Sequence, residues 1–469
     1  MNLPQKLKTV AMLGLASSAV IPNVKADTNK PNVVLILIDD FGYECVTANG
    51  GQSYKTPIMD RLAETGVRFE QCYAQPLSTP TRVQMMTGKN NRENYSHFAH
   101  LDTTQITFGN LLKENGYATC ITGKWQLGES FDLPKHFEFD EYCLWHLNKK
   151  APRYRNAGLV INGKASNYSQ NEYGPDIVSD YALDFITRKK EIPFFLYYPM
   201  MLTHEPYDAT PDSPDYFEQK QGKDKGVSHF SDMTAYTDKL IGKLIAKLDE
   251  LSLRKNTLIL IVGDNGTGRA TVSKFMGRDV NGGKGLSTNL GTRVPCIASW
   301  PDHIVKGKVS TDLIDAADFL PTICEATHTT IPSNLKIEGR SFLPQLRGEK
   351  GNPHDWLYVW YNDNGGAKAK YEFAHDANYK LYTDGRFFDV KKDDLENSPL
   401  TDNQLDSKAK AAKVKLQAAL KQFEGPRLEY FVKQGEDRKG ENEGDENSGE
   451  GKKEKKNKKQ ITSSSQLEE

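Results

Sequence analysis

The sequence predicts an α/β fold: a large, mostly parallel sheet sandwiched by helices, with a smaller C-terminal antiparallel-sheet subdomain. Three observations carry this expectation. Unbroken apolar runs at Asn32–Ile38 and Thr257–Val262 read as strands buried on both faces, as in a parallel sheet. Such runs alternate with amphipathic segments of helical length, the order of βαβ units. Polar clusters fall directly after strand ends, at Asp39-Asp40 and Asp264-Asn265, where open α/β sheets place their sites.

The elements follow in chain order. Residues 1–26 read as an export signal. Lys6 and Lys8 give a positive start, Thr9–Ile21 is mostly apolar and small, and Val24-Lys25-Ala26 fits a cleavage site. The apolar run is too short to span a bilayer comfortably. Cleavage near Ala26 is therefore expected, giving a periplasmic or secreted chain with no stable membrane span. Thr56-Pro57 opens a helix, with Pro at its first position, and Gly66 closes it. Val67–Ala74 is the next strand. Thr107–Asn115 is a short helix stopped by Gly116, and Tyr117–Thr122 is a strand. Asp176–Lys190 is a helix and Phe194–Tyr198 a strand. Ser228–Leu251 is a long helix with Leu240, Leu244, Leu248 and Leu251 on one face. Arg293–Trp300 is predicted as a strand and Thr311–Ala326 as a helix.

After residue 345 the texture changes. Segments 356–361, 371–375, 379–383 and 386–390 are short and aromatic with turns between, which suggests a small antiparallel sheet. Lys408–Phe423 reads as a helix. Residues 433–469 hold no aromatic residue and only Ile461 and Leu467 as aliphatics, with an acidic block at 436–450 before a basic one at 452–459. That composition predicts a disordered tail, either a solubilising extension or a charged sticker for a polysaccharide or surface. The expected divisions are 1–26 (signal), 27–345 (large α/β domain), 346–432 (small α+β subdomain) and 433–469 (tail).

Composition excludes several classes. Of 469 residues, Lys plus Arg number 61 and Asp plus Glu 62, a net charge of −1, so no nucleic-acid partner is expected. The mean hydropathy of −0.63 excludes a polytopic membrane protein. Six cysteines with no CxxC pair favour neither a disulfide scaffold nor a zinc site.

The chemistry begins at Asp39-Asp40. Adjacent carboxylates repel unless a cation or proton relieves them, and oxygen donors select hard cations such as Ca²⁺ or Mg²⁺. A turn or cap uses Asp equally well. Asp264-Asn265 supplies a second oxygen pair after another strand, which favours the metal. Ser78 stands just before an expected helix start with Pro80 near its first position, and helix N-termini attract anions. Arg82, one turn on, suits an oxyanion or a nucleophile, although an ordinary N-cap with a surface Arg uses the same residue types.

The stretch Ser78-Thr79-Pro80-Thr81-Arg82, followed by Met85-Met86-Thr87-Gly88, resembles the signature of the type I, formylglycine-dependent sulfatases, a branch of the alkaline phosphatase superfamily. Asp39-Asp40, Gly123-Lys124-Trp125, His204 in Thr-His-Glu-Pro, Asp264-Asn265-Gly266 and Lys284 in Gly-Gly-Lys-Gly fall in that family's order. Asn289–Pro295 is similar to the stretch that follows. The resemblance covers residues 31–345 and implies an alkaline phosphatase-like fold that hydrolyses sulfate esters, with a sulfated carbohydrate as substrate. It implies that a separate maturation enzyme converts Ser78 to 3-oxoalanine (formylglycine), in the Ser-type manner of bacterial enzymes. It implies Ca²⁺ held by Asp39, Asp40, Asp264, Asn265 and the modified Ser78. Arg82 would support the formylglycine. Lys124, His204 and Lys284 would hold the sulfate, with His204 or Lys284 protonating the leaving oxygen. Elementary chemistry agrees, since a sulfate ester needs cations against its non-bridging oxygens and a proton for its leaving group.

The pattern departs at Gln126, where the family carries His two residues after the Lys of Gly-Lys-Trp. Gln hydrogen-bonds but is no base at neutral pH. Either Gln126 holds the nucleophile or substrate while another group serves as base, or turnover is weakened. Two alternatives remain open at this point. One is a phosphatase or phosphonate hydrolase using unmodified Ser78, against which the chain lacks a clear Asp-x-x-x-His cluster for a second metal. The other is a sugar-binding chain without turnover. Trp145, Tyr173 and Trp360 are residue types that stack on sugars or fill cores.

Overall fold

The computed structural model describes residues 30–145, 147, 151–166, 168–219, 222 and 226–436. The predicted signal at 1–26 lies outside them, as does the predicted tail beyond residue 436. The first residues of that tail, 433–436, belong to a helical stretch spanning 429–436.

In chain order the strands are β1 (Asn32–Ile38), β2 (Val67–Tyr73), β3 (Ala118–Lys124), β4 (Glu141–Trp145), β5 (Leu159–Ile161), β6 (Lys164–Ser166), β7 (Phe194–Pro199), β8 (Thr257–Gly263), β9 (Val272–Phe275), β10 (Arg278–Asn281), β11 (Cys296–Ser299), β12 (Lys308–Asp315), β13 (Leu357–Tyr361), β14 (Tyr371–His375), β15 (Tyr379–Tyr382) and β16 (Phe387–Asp389). The longer helices are α1 (Pro57–Thr65), α2 (Ser78–Thr87), α3 (Phe108–Glu114), α4 (Gly174–Arg188), α5 (Phe230–Glu250), α6 (Phe319–Ala326) and α7 (Ser407–Lys421).

Ten strands form one sheet in the order β12-β2-β11-β8-β1-β7-β3-β4-β5-β6. β1 lies near the middle, parallel to both β7 and β8. β3 and β4 continue the parallel run, while β11 and β5 are antiparallel to their neighbours. The unbroken apolar runs have the expected cause: alternate residues feed two different cores. Val33, Leu35 and Leu37 face one layer, in which Val83, Phe108, Leu112, Leu320 and Ile323 of α2, α3 and α6 are buried. Val34, Ile36 and Ile38 face the other, with Met59, Leu62, Val178, Phe185, Leu240 and Leu244 of α1, α4 and α5. This is the sandwiched sheet the sequence predicts.

One predicted element is corrected. Thr311–Ala326 is not a single helix: Thr311–Asp315 completes β12, which pairs in parallel with β2, and only Phe319–Ala326 is α-helical. Asp315 ends the strand and caps the turn that follows, its carboxylate accepting from the Ala317 N–H at 2.9 Å. The strand predicted over Arg293–Trp300 contracts to β11. All six cysteines are buried and free.

β13–β16 form a separate antiparallel sheet in sequential order, backed by α7. A buried ion pair ties this sheet to the loop after β10. Lys380, fully buried on β15, donates to Glu396 Oε1 at 2.5 Å and to the Ser287 carbonyl at 2.6 Å. The Tyr382 hydroxyl reaches Glu396 Oε2 at 2.5 Å and Ser287 Oγ at 2.8 Å. Leu77 packs against the same sheet, beside Tyr361, Phe373 and Tyr382.

Candidate active site

The carboxyl ends of four central strands converge. Asp39 and Asp40 follow β1, Lys124 closes β3, His204 lies in the loop after β7, and Asp264 and Asn265 follow β8. Ser78 is the first residue of α2 rather than the residue before it, and Pro80 is the third. Lys284 arrives from the loop after β10. Two backbone features permit the convergence. Asp40 adopts a left-handed φ of 54°, a conformation Asp tolerates, so consecutive carboxylates turn into one site. Gly123 has φ 121°, and a Cβ there would sit 1.9 Å from the Pro199 carbonyl, so only Gly lets β3 bring Lys124 this close to β7.

Ser78 Oγ accepts from Arg82 Nε at 2.8 Å, one helical turn on, and from Lys124 Nζ at 3.2 Å. Lys124 also donates to both Asp39 oxygens, at 2.7 and 2.8 Å. Lys284 Nζ donates to Asp40 Oδ2 at 2.6 Å, and His204 Nε2 stands 3.8 Å from that oxygen. Asn265 Nδ2 donates to Asp40 Oδ1 at 2.9 Å, and the Asp40 N–H donates to Asp264 Oδ1 at 2.9 Å. Thr81 Oγ1 donates to the Asp264 carbonyl, which docks α2 onto the end of β8.

The electrostatics follow from burial and neighbours. Burial alone would raise the Asp39 carboxyl, but Lys124 and Arg153 outweigh it and hold it well below the usual range. Burial opposes the Asp40 charge too, and His204 and Lys284 overcome that cost. Asp264 behaves oppositely: burial, then the charge of Asp39, pushes it up to about 7. Burial pulls Lys124 down to about 8 against the attraction of Asp39. It takes His204 down to about 3, so the imidazole is neutral at neutral pH. Lys284 is raised, because Asp40 and Asp39 outweigh its burial.

Asp39, Asp40 and Asp264 each present a carboxylate oxygen within 4.8 Å of the others, all buried. Asp264 Oδ2 and Asn265 Oδ1 are buried with no hydrogen-bond partner. Buried oxygens are ordinarily paired, and a hard divalent cation accepts an all-oxygen donor set of this kind. The residues present therefore fit such an ion.

All ten predicted site residues lie in the described region, and nine of them meet in this network. The tenth, Gln126, has a left-handed φ of 51°, and its buried Oε1 has no hydrogen-bond partner. Arg153 was invisible in the sequence. It bonds Asp39 Oδ2, donates from Nε to the Met201 carbonyl at 3.0 Å, and lies 4.5 Å from the Trp145 ring. No motif surrounds it, and the only available hint is three basic or aromatic residues in succession, Arg153-Tyr154-Arg155. Trp145, Tyr173 and Trp360 are all buried, so they fill cores.

A fold that gathers three carboxylates, two lysines and an arginine around a serine on a helix N-terminus suits a hydrolase of anionic esters. Residues 31–329 match the family described as Sulfatase, and residues 284–424 that described as N-sulphoglucosamine sulphohydrolase, C-terminal. The chain is 30% identical over 402 residues to the N-acetylgalactosamine-6-sulfatase of Mus musculus, covering 77% of this chain and 73% of that one. It is 29% identical over 366 residues to arylsulfatase A of Homo sapiens, covering 70% of each. The crystal structure of Ps i-CgsB superposes with a TM-score of 0.71 at 25% identity, covering 84% of this chain and 92% of that one. The chain belongs to the sulfatase family. It is a sulfuric ester hydrolase, which favours the sulfate-ester reading over the phosphatase and non-catalytic ones. Among the described residues, no helix is long and apolar enough to cross a membrane.

Proposed function

We propose that this enzyme removes sulfate from a sulfated carbohydrate, with residue 78 as nucleophile after its conversion to formylglycine by a maturation enzyme, and with Ca²⁺ held by Asp39, Asp40, Asp264, Asn265 and residue 78. One observation carries the reading: Ser78 Oγ is gripped by Arg82 and Lys124 beside two buried oxygens that make no hydrogen bond, Asp264 Oδ2 and Asn265 Oδ1. When bound, the ion would supply fixed positive charge against the sulfate oxygens, and hydrated formylglycine would supply a second hydroxyl on the carbon that bears the nucleophilic oxygen.

The chain's own side chains do the rest. Arg82 and Lys124 orient residue 78 and carry positive charge toward the sulfate. Lys284 stays protonated beside Asp40, which makes it the better proton source for the leaving oxygen. His204, held neutral by burial, donates its Nδ1–H to the Glu205 carbonyl at 2.5 Å, which fixes the ring with Nε2 toward Asp40 and leaves Nε2 able to accept a hydrogen bond. Arg153 fixes Asp39. The carbohydrate class is supported by two similar proteins: an N-acetylgalactosamine-6-sulfatase, and Ps i-CgsB, which has been solved in complex with k-i-k-neocarrahexaose.

The first test is peptide mass spectrometry across Ser78 on protein from its native host. A peptide two hydrogens lighter, or its hydrate, is expected, together with sulfate release from aryl sulfates and from sulfated sugars. An unmodified serine in a preparation that still releases sulfate would overturn the formylglycine assignment.

A further inference from the structure

Positive charge also gathers away from the catalytic cluster, around a cavity of about 430 Å³ beside the four-stranded sheet. Arg92 enters from the segment after α2, Arg427 from the segment after α7, and Lys368 and Arg386 from turns of the sheet. Arg92 and Arg427 are each only 6% exposed. Their donors go to backbone carbonyls: Arg92 to Phe423 and Gly425 at 3.1 and 2.6 Å, and Arg427 to Arg92 and Gly366 at 3.2 and 2.5 Å. Carbonyl dipoles fix the two guanidinium planes but carry no net charge. The Arg427 plane is braced on Trp360, 3.8 Å from its ring centre. Burial, and then the charge of Arg92, pushes the Arg427 pKa down to about 10.

Among the described residues, neither arginine nor Lys368 has a carboxylate within ion-pair distance. The cavity's own carboxylates are engaged: Asp384 accepts from Arg386 at 2.8 Å, and Glu372 accepts from the Tyr358 hydroxyl at 2.6 Å. Two nearly buried like charges with no carboxylate in ion-pair contact are costly, and an anion in the cavity relieves that cost. The volume suits a sugar unit rather than a bare ion. Tyr382 lines the cavity and also hydrogen-bonds Ser287, three residues after Lys284.

We propose that this cavity is a second site for a sulfated sugar, holding an anionic unit of a saccharide chain apart from the bond being cleaved. The proposal deepens the carbohydrate reading and rests on it. The test titrates sucrose octasulfate into the full-length protein by calorimetry, with sucrose and inorganic sulfate as controls. The variant is Lys368→Gln/Arg386→Gln, both exposed positions. Binding of the octasulfate alone is expected, weakened about fivefold or more in the variant, as befits two lost surface charges. Hydrolysis of a small aryl sulfate should be unchanged. Equal affinity in wild type and variant overturns the proposal. So does comparable binding of sucrose or of inorganic sulfate, or loss of aryl sulfate hydrolysis in a folded variant. If the wild type binds as expected but cleaves no aryl or sugar sulfate, the catalytic reading fails and the second site stands.

Discussion

Two buried charge clusters meet at the loop that carries Lys284 and Ser287, and they follow opposite rules. The Lys380–Glu396 cluster is closed: the ammonium, both carboxylate oxygens and the Tyr382 hydroxyl all find protein partners. The Asp39–Asp40–Asp264 cluster is open: Asp264 Oδ2, Asn265 Oδ1 and Arg82 Nη2 are buried without a hydrogen bond, the first and last standing 3.6 Å apart as a loose ion pair. A closed cluster holds two layers together. An open one, at the same degree of burial, holds places for something that is not protein. Satisfaction rather than charge or depth separates architecture from chemistry here.

The largest effect that tests this contrast is catalytic. Asp264→Asn should cut sulfate release about 10³-fold, the scale of one preorganised electrostatic contact, with an unchanged melting curve. A melting temperature that collapses along with activity would make the open cluster architectural. Lys380→Met should do the reverse. It strands the Glu396 carboxylate and should cost about 3–5 kcal/mol of stability by denaturant titration. Adding Glu396→Gln should recover a large part of that loss, and failure to recover would mean that the pair is not closed as described.

A smaller effect is pH-dependent. Asp264 is pushed up to about 7 while its ordinary value is 3.8. A carboxyl raised on folding favours the ion-free fold fully at low pH and loses that contribution as pH rises through the folded value. Its deprotonation then favours a cation. Calcium affinity, measured by calorimetry, should tighten as pH rises toward about 7 and level off above it; a flat profile from pH 5 to 8 would remove Asp264 from the ligand set. The smallest effect is at Gln126. Gln126→His should leave turnover within about threefold or improve it, since a base there is worth at most a general-base increment. Abolished turnover with an intact fold would give Gln126 a specific role of its own.

The central sheet is legible in the sequence because a strand buried on both faces is written as an unbroken apolar run, as in Asn32–Ile38. The carboxylates are legible because they stand directly after such runs. Thr311–Asp315 misleads because it is continuous with a true helix, and only pairing with β2 decides that it is extended. β4, β5 and β6 go unread because they are short and, unlike the equally short β13–β16, do not recur as a series of aromatic segments set apart by turns. Arg153 and the Lys380–Glu396 pair lack any local pattern. Their partners are 114 and 16 residues away, at separations that only the folded chain defines.

The clasp of Lys380 on the Ser287 carbonyl has a consequence in time. Lys284 is translated 96 residues before Lys380, and Glu396 follows 16 residues later still. Until that late segment leaves the ribosome and its strands pair, the loop bearing Lys284 lacks its outer anchor. A chain cut short before residue 380 would keep Asp39, Asp40 and Asp264, and the inner contacts of Lys284, whose N–H donates to the Thr267 carbonyl and whose own carbonyl accepts from Arg269, yet it would lack the outer clasp on Ser287.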